Sequence, residues 1–118
     1  MPETPFNQEI LNKETVIIKT GKELDNNNAH VMVETIVSSQ IEGYKFIILD
    51  MQQLEFISSA GVGSILGTIE SSREIGGDII LCNASEAIMQ VLEVLDLADY
   101  LTIKSDETEI AKLCGAKG

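Results

Sequence analysis

The sequence predicts an α/β protein, a sandwich in which helices flank a mixed, mostly parallel β-sheet. Two features predict this class: short continuous apolar runs of strand length, and longer segments between them in which apolar residues recur at helical spacing. A hydrophobic fraction of 44% excludes a disordered chain, and 118 residues can bury one core but not two. We therefore expect a single domain over residues 1–118.

The first third of the chain is predicted to form two strands and a helix. Two strands are expected within residues 5–20, because the apolar run Val16–Ile18 follows a polar turn. A loop with three consecutive asparagines, which are candidate helix N-caps, comes next. The helix should run from Ala29 to about Ile41 and end at Gly43. Its predicted apolar face consists of Val33, Ile36, Val37 and Ile41.

The centre of the chain carries the clearest pattern, a strand–helix–strand crossover with a parallel pair of strands. Phe46–Leu49 is a continuous apolar run, which is typical of a strand covered on both faces. In the polar connection that follows, Leu54 and Phe56 should point inward. A helix then begins at Ser59, two glycines end it, and Asp78–Cys82 is a second buried strand. The predicted apolar face of this helix consists of Val62, Ile65, Leu66 and Ile69.

The last third is predicted to form a helix, a strand and a final helix. The first of these should begin near Asn83, because Asn83 and Glu86 have the spacing of a capping box. Tyr100–Ile103 is a short strand, and Asp106 to about Leu113 is a helix with acidic residues in its first turn. The predicted order is β-β-α-β-α-β-α-β-α, with about four helices. The apolar face of the third helix consists of Ile88, Val91, Leu92 and Leu95.

The charge of the chain excludes some classes of function. Its 19 acidic and 8 basic residues give a formal net charge of -11, which repels polyanions, so we expect no nucleic-acid binding. No apolar run is long enough to span a bilayer and no leader sequence opens the chain, so the cytoplasm is the expected location. Cys82 in a core strand and Cys114 near the end lack metal-ligand spacing. Neither a metal nor a cofactor is expected.

Chemistry is expected at the strand-to-helix turn Phe56–Gly63, because functional groups of α/β sheets collect beyond the carboxyl ends of parallel strands. In the simplest interpretation Ser58 or Ser59 is an N-cap that accepts a backbone N–H, and Gly61 and Gly63 allow close packing. Alternatively, a serine here is a phosphoacceptor, because a phosphate would lie beside unpaired N–H donors and the positive end of the helix dipole. The pattern alone leaves both interpretations open.

An enzyme is not expected. The glycines of segment 61–67 are spaced too widely for a dinucleotide fingerprint and lie inside a predicted helix. The sequence has no Gly-Lys-Ser/Thr phosphate loop, and Ile57 stands where the first glycine of a nucleophile elbow around Ser59 would be. The single histidine, His30, is predicted to be exposed near a helix start.

Several motifs carry a resemblance to a known family. They are Phe46-Ile47-Ile48-Leu49-Asp50, Leu54-Glu55-Phe56-Ile57-Ser58-Ser59-Ala60-Gly61-Val62-Gly63, Ile75-Gly76-Gly77, Gly21-Lys22-Glu23-Leu24-Asp25 with Ala29, and Val94-Leu95-Asp96-Leu97 with Tyr100-Leu101. On these motifs the chain resembles the STAS domain family, the bacterial anti-sigma factor antagonists. The resemblance spans nearly the whole chain.

The resemblance implies a β-sheet flanked by four helices and a phosphoacceptor serine at Ser59. Unphosphorylated members of the family bind an anti-sigma factor that is also a serine kinase of the GHKL ATPase class, and thereby free a sigma factor. The kinase phosphorylates the serine and ends the interaction, and a metal-dependent serine phosphatase restores it. Asp25 matches an acidic residue near this surface. The implied partner-binding residues are Asp25, Ser58, Ser59, Ala60, Gly61, Val62 and Gly63.

The chain departs from the family pattern at three positions. Ser58 replaces the usual Asp, Ala60 replaces a common Ser or Thr, and Lys22 resembles an insertion in a Gly-Glu-Leu-Asp turn. We therefore expect Ser59 to be the acceptor, with Ser58 as its rival. A different class of function stays open as well: an accessory STAS subunit that binds a transporter or a small ligand and is never phosphorylated.

Overall fold

The computed structural model describes residues 6–104, which form seven strands and three helices. The predicted fourth helix, Asp106 to about Leu113, and Cys114 lie outside the described residues. The strands are β1 (Gln8–Asn12), β2 (Thr15–Lys19), β3 (Glu23–Leu24), β4 (Phe46–Asp50), β5 (Phe56–Ile57), β6 (Asp78–Cys82) and β7 (Thr102–Lys104). The helices are α1 (Ala29–Ile41), α2 (Ser59–Glu74) and α3 (Glu86–Val94). The predicted α/β class is confirmed, and the five predicted strands and the first three predicted helices occur in the predicted order. The short strands β3 and β5 were not predicted, since they lie in the loop before α1 and in the connection before α2.

The main sheet has five strands in the order β1-β2-β4-β6-β7, and β3 and β5 form a separate two-stranded sheet. Only the β1–β2 pair of the main sheet is antiparallel. Because every parallel crossover steps in the same direction across the sheet, and such crossovers are right-handed, α1, α2 and α3 share one face. The predicted mixed, mostly parallel sheet is confirmed.

The core confirms that the central strands are covered on both faces. Ile47 and Leu49 of β4 belong to the main core, to which all three helices contribute. The residue between them, Ile48, points to the opposite face and packs with Ile80 and Cys82 in a smaller buried cluster. This arrangement explains the continuous apolar runs, because neither face of β4 or β6 is left to solvent at these positions.

The apolar face predicted for α1 is wrong at two of its positions, since Val37 and Ile41 are 37% and 80% exposed. Helices α1 and α2 are in contact, and small residues allow two helix axes to approach closely. Both helices carry buried small polar residues: Thr35 and Ser39 on α1, and Ser64, Thr68 and Ser72 on α2. The Gln40 amide crosses this contact and donates to the Thr68 carbonyl at 3.0 Å and to the Ser72 hydroxyl at 2.9 Å. The buried residues of α1 are Met32, Thr35, Ile36 and Ser39.

The start predicted for α3 is also wrong. Asn83 adopts a positive φ of 61°, which asparagine tolerates better than most residues, and its side chain donates to Asp50 Oδ1 at 3.1 Å. The N-cap is Ser85, whose hydroxyl accepts the Ile88 N–H at 3.3 Å. Leu95, predicted to be part of the buried face, follows the helix and is 47% exposed.

Candidate partner-binding site at the start of helix α2

The two segments predicted to form the site are joined through their backbones. Strands β3 and β5 pair in parallel, and the Ser58 N–H extends this pairing with a 3.0 Å hydrogen bond to the Leu24 carbonyl. The Lys22 carbonyl accepts the N–H groups of Glu55 and Phe56 at 2.8 and 3.2 Å. Lys22, the residue that departs from the family turn, therefore anchors the β3 segment to the segment that leads into α2.

Pairing between β3 and β5 also decides which side chains of this segment are buried. Successive side chains of a strand point to opposite faces, so Ile57 points into the core with Leu24. Phe56 consequently points outward and is 52% exposed. The prediction that Leu54 points inward is confirmed and the same prediction for Phe56 is wrong, leaving an exposed aromatic side chain beside the α2 start.

Ser58 is the N-cap of α2. Its backbone is extended (φ -96°, ψ 174°), and its hydroxyl oxygen accepts the Gly61 N–H at 3.2 Å. The same hydroxyl donates its proton to Asn26 Oδ1 at 3.3 Å. Both hydrogen-bonding functions of the hydroxyl are therefore used, one to cap the helix and one to connect α2 with the loop before α1.

Ser59 occupies the first position of α2 and is exposed to solvent. Because Ser58 already caps the helix, the capping role no longer competes for the Ser59 hydroxyl. The hydroxyl lies beside the first backbone N–H groups of the helix, where the helix dipole stabilises negative charge. An anionic group attached to Ser59 would therefore extend into solvent at an electrostatically favourable position.

Residues 60–63, which follow Ser59 in α2, include both buried and accessible positions. Gly61 is buried against the β3 backbone, and a Cβ at this position would overlap the Leu24 carbonyl oxygen. Val62 is buried in the core, whereas Ala60 is half-buried. The close packing predicted for Gly63 is wrong, because Gly63 is exposed and a Cβ there would meet no atom within 4 Å.

Asp25 lies in a structured loop between β3 and α1. Its carboxylate accepts the Asn27 N–H at 2.9 Å, and its own N–H donates to Asn28 Oδ1 at 2.9 Å. Asn26 supplies the side chain that contacts Ser58. Sequence reasoning missed this contact of Asn26 because a run of asparagines before a helix indicates capping. In the structure Asn28 occupies the N-cap position but makes no side-chain cap bond; its side chain donates to the Glu23 carbonyl and closes the loop.

A groove of about 450 Å³ lies between the start of α2 and helix α3. The residues lining this α2–α3 groove are Ile57, Ser58, Ser59, Val62, Ala87, Gln90, Val91, Val94 and Leu95. Sequence reasoning missed the α3 wall because the pattern assigned the apolar residues of α3 to the core. One signal in the sequence could have indicated this wall: α3 has more apolar residues than its core-facing side needs. Val94 lies on the side of the helix away from the core and is 84% exposed.

Within residues 6–104, no three or more His, Cys, Asp or Glu side chains are grouped so as to hold a metal ion. None of the helices described there combines the length and the apolar character needed to cross a membrane.

Comparison with known proteins gives the class of this chain. The family model for the STAS domain matches residues 2–110, so the chain belongs to the STAS domain family. An anti-sigma F factor antagonist from Lysinibacillus sphaericus is 28% identical over 111 residues, which are 93% of this chain and 95% of that protein. An anti-sigma-B factor antagonist from Listeria monocytogenes is 24% identical over 88 residues, covering 75% of this chain and 77% of that protein.

Similar solved structures belong to the same class of protein. The unphosphorylated form of the anti-sigma factor antagonist SpoIIAA is 26% identical, with a TM-score of 0.81, over 96% of this chain and 99% of that one. The phosphorylated form of SpoIIAA, a Bacillus cell fate determinant, is 27% identical, with a TM-score of 0.71, over 91% of this chain and 97% of that one.

Proposed function

We propose that this chain is an anti-sigma factor antagonist that is switched off by phosphorylation of Ser59. Its unphosphorylated form binds an anti-sigma factor that is also a GHKL-type serine kinase, and the sigma factor is released. The kinase transfers a phosphoryl group from ATP to Ser59, and a metal-dependent serine phosphatase removes it. The chain itself acts in the cytoplasm as a binding partner and as a substrate, without enzymatic activity.

The observation that carries this proposal is the division of roles between two neighbouring serines. The Ser58 hydroxyl is engaged with Gly61 and Asn26, whereas Ser59 is exposed at the first position of α2. A kinase can therefore reach Ser59 without unfolding the helix start. The names of the relatives add support, since SpoIIAA is known in a phosphorylated and an unphosphorylated form.

The switch follows from local electrostatics. A phosphate on Ser59 adds about -1.5 to -2 charges at pH 7. The helix dipole and the nearby N–H groups stabilise this charge, so the fold is retained. A partner in contact with the α2 start would have to desolvate the phosphate, and binding weakens for that reason. The proposed docking surface consists of Asp25, Ser58, Ser59, Ala60 and Gly63. Gly61 and Val62, which were also predicted to belong to it, are buried and position this turn from below.

The accessory-subunit hypothesis is not favoured. The curated relatives that cover most of this chain are anti-sigma factor antagonists. A murine anion transporter of the Slc26 family has a similar domain with a TM-score of 0.60, but at 16% identity the likeness concerns the fold alone.

Phosphoryl transfer is tested by incubating the purified chain with ATP and the anti-sigma factor kinase of the same organism, followed by intact mass spectrometry. We expect the mass to rise by one phosphoryl group in the natural sequence and to stay unchanged in Ser59→Ala. Ser58→Gly is the matched control, because glycine removes the rival hydroxyl while costing only a few tenths of a kcal/mol at an N-cap. Phosphorylation that persists in Ser59→Ala would refute the site.

Binding is tested by isothermal titration calorimetry with the same kinase and ADP. Ser59→Asp should weaken binding at least about tenfold, or roughly 1.4 kcal/mol, because it places a carboxylate on the docking surface. Ser59→Asn has the same size without the charge and should bind more tightly than Ser59→Asp. Equal affinities of the Asp and Asn variants would contradict an electrostatic switch.

A further inference from the structure

The α2–α3 groove extends the proposed docking surface onto a helix that the sequence did not implicate. Ser58 and Ser59 lie on its α2 wall, and Val94 and Leu95 on its α3 wall are 84% and 47% exposed. Apolar side chains exposed together beside polar residues mark interaction sites more often than scattered single ones do. The groove and the switch residue Ser59 therefore form one continuous surface.

The charges around this groove favour a basic partner. None of the lining residues that the structure describes is charged. Glu86, Glu93 and Asp96 on and just after α3 are exposed, and the sequence from 74 to 103 contains no Lys or Arg. An apolar strip bordered on one side by carboxylates is complementary to an apolar segment that carries Lys or Arg on its flank.

A small anionic ligand such as a nucleotide fits this groove less well. Phosphate recognition depends on cationic side chains or on several convergent N–H donors. The start of α2 offers backbone N–H donors at one wall, but the described lining contains no cationic side chain, and the nearby formal charges on α3 are negative. The groove is also shallow and open to solvent, whereas small-molecule sites enclose most of their ligand.

We infer that the α2–α3 groove binds an apolar segment, flanked by basic residues, of the anti-sigma factor kinase. This inference rests on the proposed function and names a second part of its interface. Apolar side chains of the partner pack on Val91, Val94 and Leu95, and its basic residues face Glu93 and Asp96. Ser59 lies on the opposite wall of the groove, so a phosphate on Ser59 would stand at the edge of the apolar contact with the partner. Because removing water from a phosphate is costly, phosphorylation displaces the partner segment from the groove.

The test compares Val94→Gln with Ile41→Gln. Both residues are β-branched, each is the last residue of its helix, and they are 84% and 80% exposed, so the two substitutions should affect folding equally. Ile41 lies on α1, outside the groove. Circular dichroism melting checks that both variants fold as the natural sequence does.

Affinity for the recombinant kinase with ADP is measured by calorimetry. We expect Val94→Gln to bind at least about fivefold more weakly and Ile41→Gln to stay within about twofold of the natural sequence. Glu93→Lys should weaken binding at low ionic strength, and the effect should shrink as salt is added. Unchanged affinity in Val94→Gln would overturn the groove assignment.

Two other occupants would be revealed by measurements on the chain alone. A dimer in sedimentation equilibrium that Val94→Gln abolishes would assign the groove to a second copy and overturn the inference. A small molecule in the native mass spectrum that Val94→Gln loses would overturn it in favour of a ligand.

The titration also separates this inference from the proposed function. If the natural sequence binds and Ser59→Asp weakens binding while Val94→Gln has no effect, only the groove inference is wrong. If the natural sequence itself fails to bind the kinase, the proposed function is overturned and the groove inference with it.

Discussion

Gly61→Ala should destabilise the protein, although alanine is the better helix former. A Cβ at Gly61 would overlap the Leu24 carbonyl oxygen and lie 2.9 Å from Cγ1 of Ile57. The obstacle is backbone, so no rotamer change can relieve it. Gly63 provides a matched control two residues later in α2, since a Cβ there meets nothing within 4 Å.

The two substitutions should have effects of opposite sign. Replacing glycine by alanine inside a helix stabilises by about 0.5–1 kcal/mol, and Gly63→Ala should show this gain. At Gly61 the gain is opposed by overpacking, which costs about 1–3 kcal/mol. Displacement of α2 would also weaken two hydrogen bonds, Ser58 N–H to Leu24 and Gly61 N–H to Ser58, each contributing about 1 kcal/mol. We expect Gly61→Ala to lose about 1–3 kcal/mol overall.

Equilibrium urea unfolding followed by far-UV circular dichroism measures both variants. With a slope of about 1–3 kcal/mol per molar urea, the two midpoints should differ by roughly 0.5–4 M. A midpoint for Gly61→Ala at or above that of the natural sequence would refute the close approach of α2 to β3. A loss in Gly63→Ala would refute the open environment assigned to that position.

Further stability predictions follow from capping and charge pairing. Ser58→Ala should cost about 1 kcal/mol in urea unfolding, because the N-cap bond is lost, and Ser58→Gly should cost only a few tenths; equal losses would argue against capping. Arg73→Ala should cost about 1–3 kcal/mol, because the Arg73–Asp78 pair at 2.9 Å is partly buried, with side chains 33% and 18% exposed, and its loss leaves a carboxylate without its cation. Lys45→Ala is its control and should cost less than about 1 kcal/mol, since the Lys45–Glu14 pair at 3.3 Å is about half exposed. The Arg73 prediction fails if the two losses are equal.

The five strands of the main sheet, the three helices and the central βαβ unit followed from the sequence alone, whereas the two-residue strands β3 and β5 did not. Continuous apolar runs such as Phe46–Leu49 are incompatible with a solvated sheet face, and the left-handed conformation at Gly43 and Gly76 ends helices wherever they lie in the fold. These signals are local, because periodicity and backbone conformation depend on neighbouring residues. The presence of a serine pair at a helix start was predictable for the same reason.

Only tertiary structure decided which side of an ambiguous segment faces the core. Helix α1 carries two stripes with apolar residues, and tertiary packing buried Ile36 while it left Ile41 80% exposed. The outward direction of Phe56 depends on the pairing of β5 with β3, a strand far away in sequence. No local pattern records such a pairing.

The division of roles at the α2 start has the same origin. Sequence spacing allowed either serine to be the cap, because both precede the same apolar face. Ser58 forms hydrogen bonds with the Leu24 carbonyl, the Asn26 side chain and the Gly61 N–H. Leu24 and Asn26 are more than 30 positions away from Ser58 in the sequence. The sequence determined that a hydroxyl stands at this turn, and long-range contacts determined that the hydroxyl of Ser59 is the exposed one.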